Sequence, residues 1–277
     1  MACNFIFLAR LLLIGLAFLS VNGCAVRVTD LSSGKTGRLE YPMKYEEFYG
    51  WGTLSIPEGS TGKLPAMIIV HGSGGLGYRE KSWASFLRGH GFATMVIDYF
   101  GPRGVTKNSR SQPVPTLDVM AALKNLATHP QIDPQRIGAI GFSRGANMVI
   151  KTANMDATWV GHTLAAHVAL YPPCGSIALT STGRSGAPIL ILLGSKDSYS
   201  DVRTCVAEVD MAKKQDNRDV TLKIYEGAYH GWDGNYSGIW YHPAFNKSFE
   251  FRKDAVVTKQ SRQDVLDFLN MVLKPSG

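Results

Sequence analysis

Ser143 stands between two glycines at two-residue spacing, in the stretch Gly141, Phe142, Ser143, Arg144, Gly145. A chain of this composition would contain G-x-S-x-G by chance about 0.2 times, so the pattern alone says little. Its setting says more. An apolar run, Ile137 to Phe142, reads as a buried strand, and Arg144 to Asn154 reads as a helix. A tight strand-to-helix turn crowds the backbone on both sides of the serine, which is why glycine is wanted two residues before and two after. Such a turn lifts the hydroxyl out of the sheet, beside the amides and the positive dipole end of the helix, where a developing oxyanion is stabilised. The stretch "GRSGA" at Gly183 to Ala187 lacks both the spacing and a preceding strand.

A serine hydroxyl is a poor nucleophile until a base takes its proton and a carboxylate orients that base. Of the seven histidines, His230 in "YEGAYHGWD" follows the last strand and is the leading base. His242, in a loop, is the second choice. His90, His129, His162 and His167 sit in or beside helices and strands, where a packed or solvated ring is the plainer reading, and His71 reads as structural. For the acid, Asp197 follows the apolar run of "LILLGSKDS", with Asp201 as runner-up. The order Ser, Asp, His is that of the α/β-hydrolase layout. The loop His71 to Gly75, in "IIVHGSGGLG", brings backbone amides to a strand end, and the oxyanion hole is assigned to the amides of Ser73 and Arg144, with Gly74 as the alternative to Ser73. The same glycines do not make a phosphate loop, because the Lys and Ser/Thr of that motif are missing. No metal motif such as H-E-x-x-H is present, and no cofactor is called for.

These residues need a sheet whose strand ends lie together. From Lys63 onward apolar runs alternate with amphipathic segments, the signature of a mostly parallel twisted sheet with helices on both faces. The strands are read at Ala66 to Val70, Ala93 to Asp98, Ile137 to Phe142, Ala166 to Leu170, Pro188 to Leu193 and Val220 to Tyr225. Helices are read near Glu80 to His90, Thr116 to Thr128, Arg144 to Asn154, Val202 to Lys214 and Arg262 to Lys274. Residues 41 to 57 suggest one or two leading strands, antiparallel at the sheet edge. With no repeat and no linker, residues 25 to 277 read as a single α/β domain.

The chain has 277 residues, 45% of them hydrophobic and 18% charged, which argues against disorder. Its net charge of +7 is scattered, with no run longer than Lys213 and Lys214, so nucleic acid is not an expected partner. Residues 1 to 24 have one cation, Arg10, an unbroken apolar run from Leu11 to Leu19 and then small residues, the layout of a secretory leader. Val21 to Cys24 also resembles a lipobox, with Asn22 departing from it, so a lipidated and membrane-anchored Cys24 stands beside ordinary cleavage near Gly23 or Ala25. Either way an exported protein, periplasmic or secreted, is expected. Cys3 and Cys24 belong to the leader, which leaves Cys174 and Cys205. An even pair in an oxidising compartment suggests a disulfide, the other reading being two buried thiols.

Over about Gly50 to Leu273 the sequence resembles the dienelactone hydrolase family of α/β-hydrolases. The resemblance is carried by "HGSGGL", "MVIDYFGPRGV", "RIGAIGFSRG", "LYPPCG", "PILILLGSKDSYSDVRTC", "VTLKIYEGAYHGWD" and "DVLDFL". It implies an α/β-hydrolase fold, with the nucleophile on Ser143, the acid on Asp197 and the base on His230. The founding members use cysteine as nucleophile, and this chain has serine, as a branch of the family does. The change favours ordinary esters over unsaturated lactones. That branch also carries cysteines after the sixth strand and after the acid, which supports a Cys174 to Cys205 bridge.

The expected activity is therefore hydrolysis of small-molecule carboxylic esters through an acyl-enzyme on Ser143. Two rivals stand beside it: a peptidase or acyl-aminoacyl hydrolase, and an exported binding protein that has lost the chemistry. The run from Trp232 to Phe251 is rich in aromatics (Trp232, Tyr236, Trp240, Tyr241, Phe245, Phe249, Phe251). It is read as a long loop that either walls an acyl pocket or packs onto the domain.

Overall fold

The structure, a computed structural model, describes residues 25–43, 48–109, 111–155, 157–175, 185–216, 219–242 and 246–273. The leader, with Cys3 and Cys24, lies outside the described residues, as do Phe245 and part of the 183–187 stretch. Nine strands form one sheet among the described residues: β1 (Val26–Arg27), β2 (Gly37–Tyr41), β3 (Gly50–Ser55), β4 (Leu64–Val70), β5 (Ala93–Asp98), β6 (Ile132–Phe142), β7 (Ala166–Leu170), β8 (Ile189–Gly194) and β9 (Val220–Tyr225). Their spatial order is β1-β2-β3-β5-β4-β6-β7-β8-β9. Every pairing from β5 across to β9 is parallel, while β3 runs antiparallel to both β2 and β5.

Among the described residues, five α-helices cover the sheet: α1 (Tyr78–Arg88), α2 (Thr116–Leu126), α3 (Arg144–Thr152), α4 (Val202–Asp216) and α5 (Ala255–Leu273). Side chains alternate across each strand, so neighbouring residues serve opposite faces. Met67 and Ile69 of β4 pack with Trp83 and Leu87 of α1 and with Val265 and Leu269 of α5. Ile68 and Val70 pack with Val119, Leu123 and Leu126 of α2. Farther along the sheet, Ile191 and Leu193 of β8 meet Ala146 and Ile150 of α3 and Val209 and Ala212 of α4. Burial on both faces explains why the central strands are unbroken apolar runs rather than alternating ones. Because those strands are parallel, the loops leaving β4, β6, β8 and β9 emerge at one edge, and they carry His71–Gly75, Ser143, Asp197 and His230.

Several expectations shift at their margins. The leading strands are β2 and β3, of which β2 starts at Gly37, ahead of the expected stretch. The last helix starts at Ala255 rather than Arg262, because Asp254 Oδ1 accepts the amides of Val256 and Val257 and caps a first turn whose outer residue, Val256, is 77% exposed. The polar run from Thr258 to Arg262, with Ser261 buried at the core-facing position, hides this turn from a reading based on apolar periodicity. The aromatic run is not a plain loop: it contains an antiparallel hairpin, β10 (Gly238–His242) and β11 (Lys247–Phe251), with Trp240 opposite Phe249.

Cys174, after β7, and Cys205, in α4, form a disulfide with Cα atoms 5.2 Å apart and 31 positions between them in sequence. A loop of that length restricts the unfolded chain by roughly 3 to 4 kcal/mol in the chain-entropy account. The double substitution Cys174→Ala, Cys205→Ala is expected to lower the free energy of unfolding by about that amount, read from urea unfolding with midpoint and slope both fitted, the slope rising as the unfolded chain is released.

Candidate active site

Ser143 is the residue before α3 and sits at φ 51°, ψ −119°, a conformation few side-chain-bearing residues adopt. The packing that holds it there is visible at its flanking glycines. A Cβ on Gly141 would fall on the backbone of Gly145, and one on Gly145 would fall on the carbonyl oxygens of His71 and Val70. The turn is thus wedged between its own helix and the end of β4, and strain at Ser143 is sustained by close approach on both sides.

Three side chains meet in line. His230 Nε2 lies 3.0 Å from Ser143 Oγ, across 87 positions of sequence, and His230 Nδ1 lies 2.8 Å from Asp197 Oδ2. His230 and Asp197 are both buried, at 3% and 7% exposure. The other oxygen of Asp197 accepts the amides of Tyr199 and Ser200, each at 2.8 Å. A buried carboxylate with three donors has its charge compensated and its orientation fixed. The two loops that bring acid and base together touch directly: a Cβ on Gly194 would run into the Ala228 carbonyl, and the Lys196 amide donates to that same carbonyl at 2.9 Å.

The loop after β4 lies against the serine turn. A Cβ on Gly72 would stand 2.9 Å from the Phe142 carbonyl oxygen and 3.4 Å from Ser143 Cβ, so Ser73 follows immediately on a point of contact with the turn. No acceptor for the amides of Ser73 or Arg144 is found among the described residues. Arg144 opens α3, and the first amides of a helix have no acceptor within it. Gln112 ties both sides together: its side chain donates to the Ser73 carbonyl at 3.2 Å, and its own carbonyl accepts the Arg144 guanidinium at 2.8 Å. Nothing in its sequence surroundings marks Gln112. His71 is fully buried and stacks on Tyr99 with centroids 3.9 Å apart, while its Nδ1 lies 2.8 Å from the Gly72 carbonyl. Burial pushes the Tyr99 hydroxyl well above its ordinary value, keeping it the donor it is to the His71 carbonyl.

The second-choice residues lie elsewhere or serve another purpose. Asp201 is exposed and caps α4, accepting from the Arg203 amide and the Thr204 hydroxyl. His242 ends β10, and its side chain is outside the described residues. The aromatic run divides. Trp232 and Phe249 are buried, the Phe251 ring meets His230 edge-on at 5.3 Å, and Tyr236, Trp240 and Tyr241 stand exposed on the hairpin side. Tyr199, packed on His230 at 4.9 Å and on Phe249 at 4.4 Å, closes the other side of the imidazole. Among the described residues, no group of three or more His, Cys, Asp or Glu side chains is placed to hold a metal ion.

The model of the dienelactone hydrolase family matches residues 52–273. The chain belongs to the dienelactone hydrolase family. As a dienelactone hydrolase relative it is a hydrolase of ester-type bonds with the α/β-hydrolase fold. Among curated proteins, it is 28% identical over 186 residues to a probable 2-oxo-3-(5-oxofuran-2-ylidene)propanoate lactonase of Bradyrhizobium sp., covering 62% of this chain and 75% of that protein. It is 35% identical over 102 residues to acyl-coenzyme A thioesterase 6 of Mus musculus, covering 36% of this chain and spanning only 23% of the thioesterase's length. Among solved structures, a dienelactone hydrolase-like promiscuous phosphotriesterase from metagenomic libraries superposes with a TM-score of 0.70 at 20% identity, covering 86% of this chain and 98% of that one. The last likeness is one of fold.

Gly145→Ala puts a methyl group against two backbone carbonyls that have no freedom to rotate away. It is expected to destabilise the protein by roughly 2 to 3 kcal/mol and to depress reactivity of Ser143, measured by denaturant unfolding alongside labelling with a fluorophosphonate.

Proposed function

We propose that this dienelactone hydrolase family member is a serine esterase that cleaves small-molecule carboxylic esters by two-step acyl transfer. His230 takes the Ser143 proton through Nε2 as Oγ attacks the ester carbonyl, and returns it to the departing alcohol. Water, deprotonated by the same nitrogen, then attacks the acyl-enzyme and releases the acid. Asp197 keeps the Nδ1 proton in place, and so fixes the tautomer that leaves Nε2 free to accept. The amides of Ser73 and Arg144 supply the donors for the oxyanion, whose charge is absent from the ground-state ester and develops as the carbonyl becomes tetrahedral.

The observation that carries this reading is the unbroken hydrogen-bonded line from Ser143 Oγ through His230 to Asp197. A fold that had lost its chemistry would have no need to hold a serine in an unfavourable conformation against a buried imidazole. The matches to a lactonase and to thioesterases support an acyl-transfer site whose leaving group is an alkoxide-like or thiolate-like oxygen or sulfur rather than an amine. The leader-like residues 1 to 24 and the Cys174–Cys205 disulfide support export to an oxidising compartment, where a free or membrane-anchored form would meet its substrate.

Wild-type protein is expected to hydrolyse short p-nitrophenyl esters, to leave peptide amides intact and to be labelled by a fluorophosphonate probe. Ser143→Ala is expected to abolish labelling and lower kcat by about a million-fold. Asp197→Asn is expected to lower kcat by about ten-thousand-fold through the wrong tautomer. Wild-type protein that neither labels nor turns over would refute the esterase and favour a binding role.

A further inference from the structure

A second buried carboxylate, unused by the chemistry above, lies three residues beyond His230. The Asp233 side chain has no exposed surface. Its Oδ1 accepts the Tyr171 hydroxyl and its Oδ2 accepts the Trp83 indole N–H, both at 2.6 Å, and Arg79 Nε stands 3.4 Å from Oδ1. Burial works against the charge on Arg79, but the carboxylates of Asp233 and Glu80 beside it outweigh that and favour the protonated guanidinium. The cluster joins three separate parts of the chain: α1, the residue after β7, and the loop that carries the base.

Tyr171 makes the cluster more than a buried ion pair. Its ring packs edge-on against His230 with centroids 4.7 Å apart. Its hydroxyl ends on Asp233, while its carbonyl accepts the Ser200 hydroxyl at 3.3 Å, and the Ser200 amide donates to Asp197 Oδ1. One residue therefore touches the base, the loop of the base and the support of the acid. It does so from a backbone φ of 42°, unfavourable for tyrosine and kept by fully buried surroundings. On the far side, Trp232 packs on Tyr171 at 4.8 Å, its indole N–H donates to Ser261 of α5, and its carbonyl accepts the Asp254 amide at 2.8 Å. The base loop is thus held from two directions, by α5 through Trp232 and by α1 through Asp233.

We propose that Tyr171 and Asp233 form a positioning strut that sets the distance between the acid loop and the base loop and so seats the His230 imidazole between Asp197 and Ser143. The inference rests on the esterase reading of the same site. Neither residue reaches the reacting atoms. Each acts through His230, where a displacement of about 1 Å costs on the order of a hundredfold in rate. Both side chains are fully buried, so neither offers surface to a substrate. The strut therefore has a signature that general destabilisation lacks: a fall in kcat at constant KM in protein that is fully folded.

Tyr171→Phe is the mild test, since it keeps the ring, the fold of the loop and the contact with His230 and deletes only the hydrogen bond to Asp233. It is expected to lower kcat on a short p-nitrophenyl ester about tenfold, and fluorophosphonate labelling by the same factor, with KM unchanged. Asp233→Asn, which also unbalances Arg79, is expected to lose about a hundredfold, and Asp233→Glu to recover part of that loss. Assays are run at a temperature at which each protein is folded by circular dichroism. If Asp233→Asn does not fold, Tyr171→Phe alone decides. Folded Tyr171→Phe with wild-type kcat and labelling overturns the strut while leaving the esterase standing, as does a loss that appears in KM. A wild-type protein that fails to label overturns the esterase and the strut with it.

Discussion

An imidazole ring has two nitrogens pointing in fixed directions, and the site depends on satisfying both at once. In this protein one must reach a hydroxyl 3.0 Å away and the other a carboxylate 2.8 Å away, each delivered by a different strand. Three loops must therefore agree in position to within a few tenths of an ångström. The parallel sheet solves the coarse part by bringing strand ends to one edge. Glycine solves the fine part. Gly72, Gly145 and Gly194 each stand where a single added carbon would press on backbone of the neighbouring loop, so the loops are packed main chain against main chain, with little room to drift.

Much of this was legible in the residues. The apolar runs of β4 to β8 identify a sheet buried on both faces, and Ser143, Asp197 and His230 follow the ends of β6, β8 and β9. Placement of the serine turn followed from local chemistry, because a strand, a tight turn and a helix in succession leave few alternatives for the backbone. Ser73 follows a glycine packed on the serine turn, and Arg144 opens the helix after it, with no acceptor for either amide among the described residues.

What escaped the sequence has a common physical cause. Gln112, Tyr171 and Asp233 act through long-range hydrogen bonds, and no local periodicity reports a partner 39, 62 or 150 positions away. The hairpin of β10 and β11 was hidden by its composition, since its aromatics advertise packing of any kind and alternate only over five residues a strand. The early start of α5 was hidden by Ser261, a polar residue buried between Val257 and Val265 against the Trp232 indole, which interrupts the apolar stripe on which a helix is recognised.

The order of the strands has one more implication. Ser143 follows β6, flanked on both sides by paired strands, whereas His230 follows β9, an edge strand of the sheet with half of its residues exposed. Margins of a sheet open more readily than its middle. What holds His230 at that margin is therefore not a further strand but the anchorage of its own loop, through Ala228 to the Asp197 loop, through Trp232 to α5 and through Asp233 to α1.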